Sequence, residues 1–89
     1  MTKILVPSTD TGKFNLRMNG VIKATNVGNN GTTGAIIRNP GLVTVDETAG
    51  TGTSLGNYTR VIGGDCSVNG TVTLASGNNK TCTITNTRK

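Results

Sequence analysis

Apolar and polar residues alternate with a period of two along most of this chain, and no stretch carries a helical period. The alternation falls in segments 2–6, 13–18, 21–24, 34–37, 42–47, 58–62, 71–74 and 81–86, and it predicts strands there. Turn-forming residues separate them. Asn19-Gly20 between two such segments is a short hairpin signal. Residues 29–34 read as a flexible loop and 39–41, with Pro40, as a turn. Residues 49–56 form a long connection suited to crossing between sheets, and 76–79 read as a hairpin joining the last two strands. Short strands at this spacing, with no internal repeat, predict one all-β sandwich domain spanning residues 1–89.

Because successive side chains point to opposite faces of a strand, the pattern also assigns sides. Phe14, Leu16 and Met18 share a face, as do Val43, Val45 and Glu47, Val72 and Leu74, and Cys82, Ile84 and Asn86. Lys3 shares a face with Leu5. Ile4 and Val6 are also apolar, so the pattern leaves that strand's orientation open. The core must be built from small aliphatics, since the chain has one Phe, one Tyr and no Trp.

Size makes such a core marginal. A domain of 89 residues buries only about 60% of its unfolded surface, and a covalent staple helps it. Cys66 and Cys82 are the only cysteines and lack metal-site spacing, so they read as one disulfide and imply an oxidising compartment. The net charge of +5 comes from scattered Lys and Arg without a basic cluster. With almost no aromatics to stack on bases, nucleic acid is not the expected partner. There is no signal peptide and no apolar run long enough for a bilayer, so export and anchor signals are expected outside this fragment. The absence of His removes His-based triads and His metal sites; Asp10, Asp46 and Asp65 make no calcium loop. No metal and no cofactor are expected. Four Asn-x-Thr sequons, at Asn30, Asn57, Asn69 and Asn79, are what a chain so rich in Asn and Thr contains by composition.

The inward faces carry the candidate chemistry. Glu47, the only glutamate, lies on the apolar face of its strand; Asn86 lies on that of the last strand; Lys3 can lie on that of the first. Desolvation favours the neutral forms of both a lysine and a glutamate. A neutral amine can attack a carboxamide carbonyl while a protonated carboxyl polarises it and moves protons, leaving a Lys–Asn isopeptide bond and ammonia. The ordinary alternatives are a solvated lysine near a terminus, a glutamate at a turn and an asparagine capping a turn.

Three stretches in order resemble the prealbumin-like (SpaA or Cna B-type) domains of bacterial surface proteins and pili. They are Thr2-Lys-Ile-Leu-Val6 followed by Phe14-Asn-Leu16, then Val43-Thr-Val-Asp-Glu-Thr48, then Lys80-Thr-Cys-Thr-Ile-Thr-Asn86. Together they cover nearly the whole chain. The resemblance implies an Ig-like Greek-key β-sandwich of about seven strands. It also implies an isopeptide bond between Lys3 and Asn86, with Glu47 as the catalytic proton shuttle. Transthyretin-like hydrolases of similar fold need histidines, so that mechanism is unavailable to this chain.

The function this implies is structural. The domain is expected to be a stalk or spacer of a cell-surface adhesin or pilus, extracellular, flanked by neighbouring domains of the same protein and monomeric when isolated. It would be no enzyme beyond a single autocatalytic turnover. The alternatives are a ligand-binding module for glycan or matrix protein, carried by loops 29–34 and 49–56, and a self-assembling filament subunit using its edge strands.

Overall fold

The structure, a computed structural model, describes residues 1–34, 36, 40–77 and 79–89. Among the described residues, seven strands lie in two sheets. They are β1 (Thr2–Val6), β2 (Phe14–Met18), β3 (Val21–Val27), β4 (Gly41–Ala49), β5 (Tyr58–Gly64), β6 (Thr71–Leu74) and β7 (Cys82–Arg88); one 3-10 turn, Leu55–Asn57, precedes β5. One sheet has the order β1-β7-β5 and the other β3-β2-β4-β6, stacked as a sandwich. β1 and β7 pair in parallel, with Lys3 opposite Ile84 and Leu5 opposite Asn86; β5 pairs with β7 antiparallel. The first and last strands of the chain are thus neighbours, and β7 is the central strand of its sheet.

The alternation becomes burial as expected. Phe14, Leu16, Val43, Val45, Ile62, Cys82 and Ile84 are buried, while Val72 and Leu74 are partly buried. β1 faces inward through Lys3 and Leu5, which leaves Val6 at 44% exposure. Two clusters fill the interior. The larger gathers Met1, Leu16, Val43, Val45, Ile62, Ile84 and the disulfide; the smaller is Leu5, Phe14 and Tyr58. At the disulfide end a cleft of about 580 Å3 opens between the sheets, lined by Met18, Val43, Val72 and Leu74 among others.

The connections match the pattern in part. Asn19 (φ 49°) and Gly20 (φ 80°) both take positive φ and join Met18 to its partner Val21, the two-residue hairpin that suits strand twist. The connection after β4 crosses between sheets. The last two strands do not pair as a hairpin: β6 pairs with β4 while β7 sits between β1 and β5, so the chain crosses between sheets from β6 to β7. Residues 29–34 are no free loop. Lys3 N–H donates to Gly31 O at 2.7 Å, Asn30 N–H to Lys3 O at 2.8 Å, Thr33 N–H to Met1 O at 3.1 Å, and Leu5 N–H to the Asn29 side-chain oxygen at 2.8 Å. The loop satisfies the edge that β1 turns away from β7, which an unpaired edge strand needs. The strand expected at 34–37 and the turn at 39–41 include residues outside the described set, as does 76–79; Gly34 and Ile36 themselves lie in no strand.

Cys66 and Cys82 form the expected disulfide, with Cα atoms 5.2 Å apart and a sequence separation of 16. It ties the turn after β5 to the first residue of β7. Closing a loop of this length stabilises by about 3 kcal/mol. The Cys66→Ala/Cys82→Ala variant is therefore expected to lose about that much stability in urea denaturation; a loss below about 0.5 kcal/mol would mean the sandwich does not need this staple.

Candidate functional site

Among the described residues, three polar side chains are buried deep between the sheets: Lys3 at 0% exposure, Asn86 at 1% and Glu47 at 4%. Their placement follows from strand geometry. In the parallel β1–β7 ladder, Lys3 and Asn86 point inward two residues apart in register, within reach of a lysine stem. Glu47 comes from β4 in the facing sheet, where it pairs with Leu16. The two sheets close on each other and bring the carboxyl to the other two groups.

The contacts are specific. Lys3 Nζ donates to Asn86 Oδ1, and also faces the backbone carbonyls of Ile84 at 3.2 Å and Ile4 at 3.3 Å. It lies 3.6 Å from Glu47 Oε1. Asn86 Nδ2 donates to Glu47 Oε2 at 2.8 Å. Glu47 Oε1 accepts no hydrogen bond among the described residues. The floor of the chamber is aromatic: Nζ stands 4.3 Å from the centroid of the Phe14 ring. All three residues named from the sequence are thus brought together, and the disulfide pair lies at the opposite end of β7.

Burial pushes the Lys3 amine down to about 8, against the attraction of Glu47, which favours the charged form. A lysine so placed loses its proton far more readily than one in water. The chemical components in contact are an amine, a carboxamide whose oxygen faces that amine, and a carboxyl that touches the carboxamide nitrogen and stands near the amine. Among the described residues no group of three His, Cys, Asp or Glu side chains gathers to hold a metal ion.

Two contributors were not identified from the sequence. Phe14 was placed on the inner face, but its role as the surface under the amine depends on which strand lies across the sandwich. The loop carrying Asn29 and Gly31, which pins β1 and with it Lys3, gives no periodic signal, because its hydrogen bonds come from irregular backbone and one carboxamide.

The buried amine has a measurable signature. Unfolded, Lys3 titrates near 10.5; folded, near 8. Between those values the unfolded chain binds more protons, so stability rises with pH through the window and is lost as pH falls to 8. In Asn86→Ala, which removes the carboxamide and keeps the amine, the gain from pH 8 to 10 is expected to be about 2 to 3 kcal/mol in urea denaturation. Adding Lys3→Met should remove this slope. An unchanged slope would show that the amine is hydrated.

Comparison of the chain with protein-family models, with curated proteins and with solved structures yields no match.

Proposed function

We propose that this domain is a structural module that locks itself with an isopeptide bond between Lys3 and Asn86, and that it serves as a stalk or spacer in an extracellular surface protein. The observation that carries the reading is the buried contact of Lys3, Asn86 and Glu47.

The reaction balances within these three groups. Proton transfer from Nζ to Glu47 across 3.6 Å gives an amine and a neutral acid. The Nζ lone pair attacks Cγ of Asn86. Glu47 gives its proton to Nδ2 through the 2.8 Å contact and takes one from Nζ, so it ends protonated. The Cγ–Nδ2 bond breaks and ammonia leaves. The new amide N–H faces the Ile84 carbonyl, 3.2 Å from Nζ. Holding the reactants in a packed interior replaces an effective concentration that solution cannot reach.

The location of the bond suits a load-bearing role. It would join strands near the two ends of the chain, so tension applied through the termini would pass through the crosslink and leave the sheets between unloaded. The arrangement of three strands against four, with the first and last strands parallel, supports the Ig-like Greek-key, prealbumin-like reading of the fold. Bacterial surface origin rests on the sequence resemblance.

Ligand binding through the loops draws less support. The turn at 50–53 is occupied internally: Thr51 N–H donates to Asn26 Oδ1 at 3.0 Å, Gly50 N–H to Lys13 O at 2.8 Å and Lys13 N–H to Thr53 Oγ1 at 2.8 Å. The 29–33 loop is held on β1. The one Tyr is buried and no Trp is present, whereas binding hot spots favour exposed Trp, Tyr and Arg.

Intact mass tests the crosslink. Reduced and denatured protein is expected to be lighter than its sequence mass by one ammonia, about 17 Da. Lys3→Ala, Asn86→Ala and Glu47→Gln should keep full mass. A parent protein at full mass would overturn the reading.

A further inference from the structure

A second set of polar groups, partly buried, is built against the same chamber. Asp10 lies in the connection from β1 to β2, yet its side chain is only 8% exposed. Its carboxylate collects three partners from different parts of the chain. The Tyr58 hydroxyl donates to Oδ2 at 2.5 Å, the Gly12 N–H donates to the same oxygen at 3.0 Å, and Arg88 Nε lies 3.3 Å from Oδ1. The Arg88 guanidinium also covers the Tyr58 ring, 5.0 Å from its centroid.

From there the contacts run inward. The Tyr58 ring meets Phe14 edge to face, with centroids 5.2 Å apart at 75°, and Phe14 carries the Lys3 amine. The only Tyr and the only Phe of the chain are both spent here. Gly12 is part of the fit: a Cβ at that position would collide with the Tyr58 hydroxyl and stand 2.9 Å from the Asp10 carboxylate. A glycine is needed for loop and ring to come this close.

We propose that Asp10, Tyr58 and Arg88 form a clasp that closes this end of the sandwich over the Lys3–Asn86 chamber, and that Tyr58 is a positioning residue for the crosslinking step. The inference rests on the crosslink reading above. The clasp fastens the β1–β2 connection to the first residue of β5 and the last of β7. Closed, it holds Phe14 against the amine and keeps water from it. The order of events follows: the strands pair, the connection closes, the amine is dehydrated, and only then does it attack. Lys3 Nζ faces Glu47 from β4, Asn86 and the Ile84 carbonyl from β7 and Phe14 from β2; the charges of Asp10 and Arg88 lie behind the two rings.

The experiment starts from a linear chain made by chemical synthesis, which has not reacted. Refolding by dilution is followed by circular dichroism, and crosslinking by intact mass after acid quench. Tyr58→Phe, which keeps the ring, is expected to fold and then crosslink about tenfold more slowly per folded molecule, the effect of losing the charge-assisted bond to Asp10 that holds the clasp closed. Arg88→Gln, at a side chain 45% exposed, should slow it less and cannot compromise the core. The pH profile separates positioning from mere stability. The reacting state keeps one proton shared between Lys3 and Glu47, and losing it leaves no acid for the departing nitrogen. The rate is therefore expected to fall above about pH 8 in the parent, and admitting water, which lets Lys3 hold its proton to higher pH, should move that fall upward in Tyr58→Phe. Equal rates and an unmoved profile in both folded variants would overturn the clasp while leaving the crosslink intact. A parent that folds and keeps full mass would remove the crosslink reading and the clasp with it.

Discussion

The Lys3 side chain ends where water does not reach, and much of the molecule is arranged to keep it there. A buried lysine is costly, and a carboxylate beside it does not fully offset the loss of hydration. The domain carries that cost through the parallel pairing of β1 with β7, through the facing sheet that supplies Glu47, and through the 29–33 loop that seals the far edge of β1. Without the loop, β1 would be an edge strand near a chain end, free to fray and to hydrate its lysine. Conversion of the amine to an amide would remove the charge altogether. On the proposed reading, this buried contact of Lys3, Asn86 and Glu47 is the unreacted state of the site.

β7 carries both the disulfide and the Lys3 contact. Its first residue, Cys82, is bonded to Cys66, and Asn86 near its other end touches Lys3. Both lie on the same inward face with Ile84 between them, fully buried in the larger cluster. The disulfide ties β7 to the turn leaving its antiparallel neighbour β5; the Lys3 contact ties it to its parallel neighbour β1. A central strand paired on both sides and held by the disulfide resists sliding in register. That matters here, because a slip of one residue would turn Asn86 to the solvent face.

Much of this is legible in the sequence, for a definite reason. Where a strand has one apolar face, alternation alone decides what is buried, so Glu47 beside Val43 and Val45, and Asn86 beside Cys82 and Ile84, stood out as polar residues on inward faces. Lys3 was ambiguous because Ile4 and Val6 are apolar as well; only the sandwich shows that Val6 is the outward one. Pairing partners were not legible either. Alternation says which side of a strand is buried and nothing about its neighbour, so β6 and β7, close in sequence, were read as a hairpin although they belong to different sheets. The Asp10 contacts and the loop on β1 were hidden because they depend on irregular backbone meeting strands far away in the chain.

Peptide mapping tests the central claim most directly. Reduced protein digested with trypsin should yield a branched species in which residues 1–13, uncut at Lys3, are joined through Lys3 to Asn86 of residues 81–88; fragmentation should place the junction on those two side chains. Recovery of residues 4–13 and 81–88 as separate, unmodified linear peptides would contradict the account.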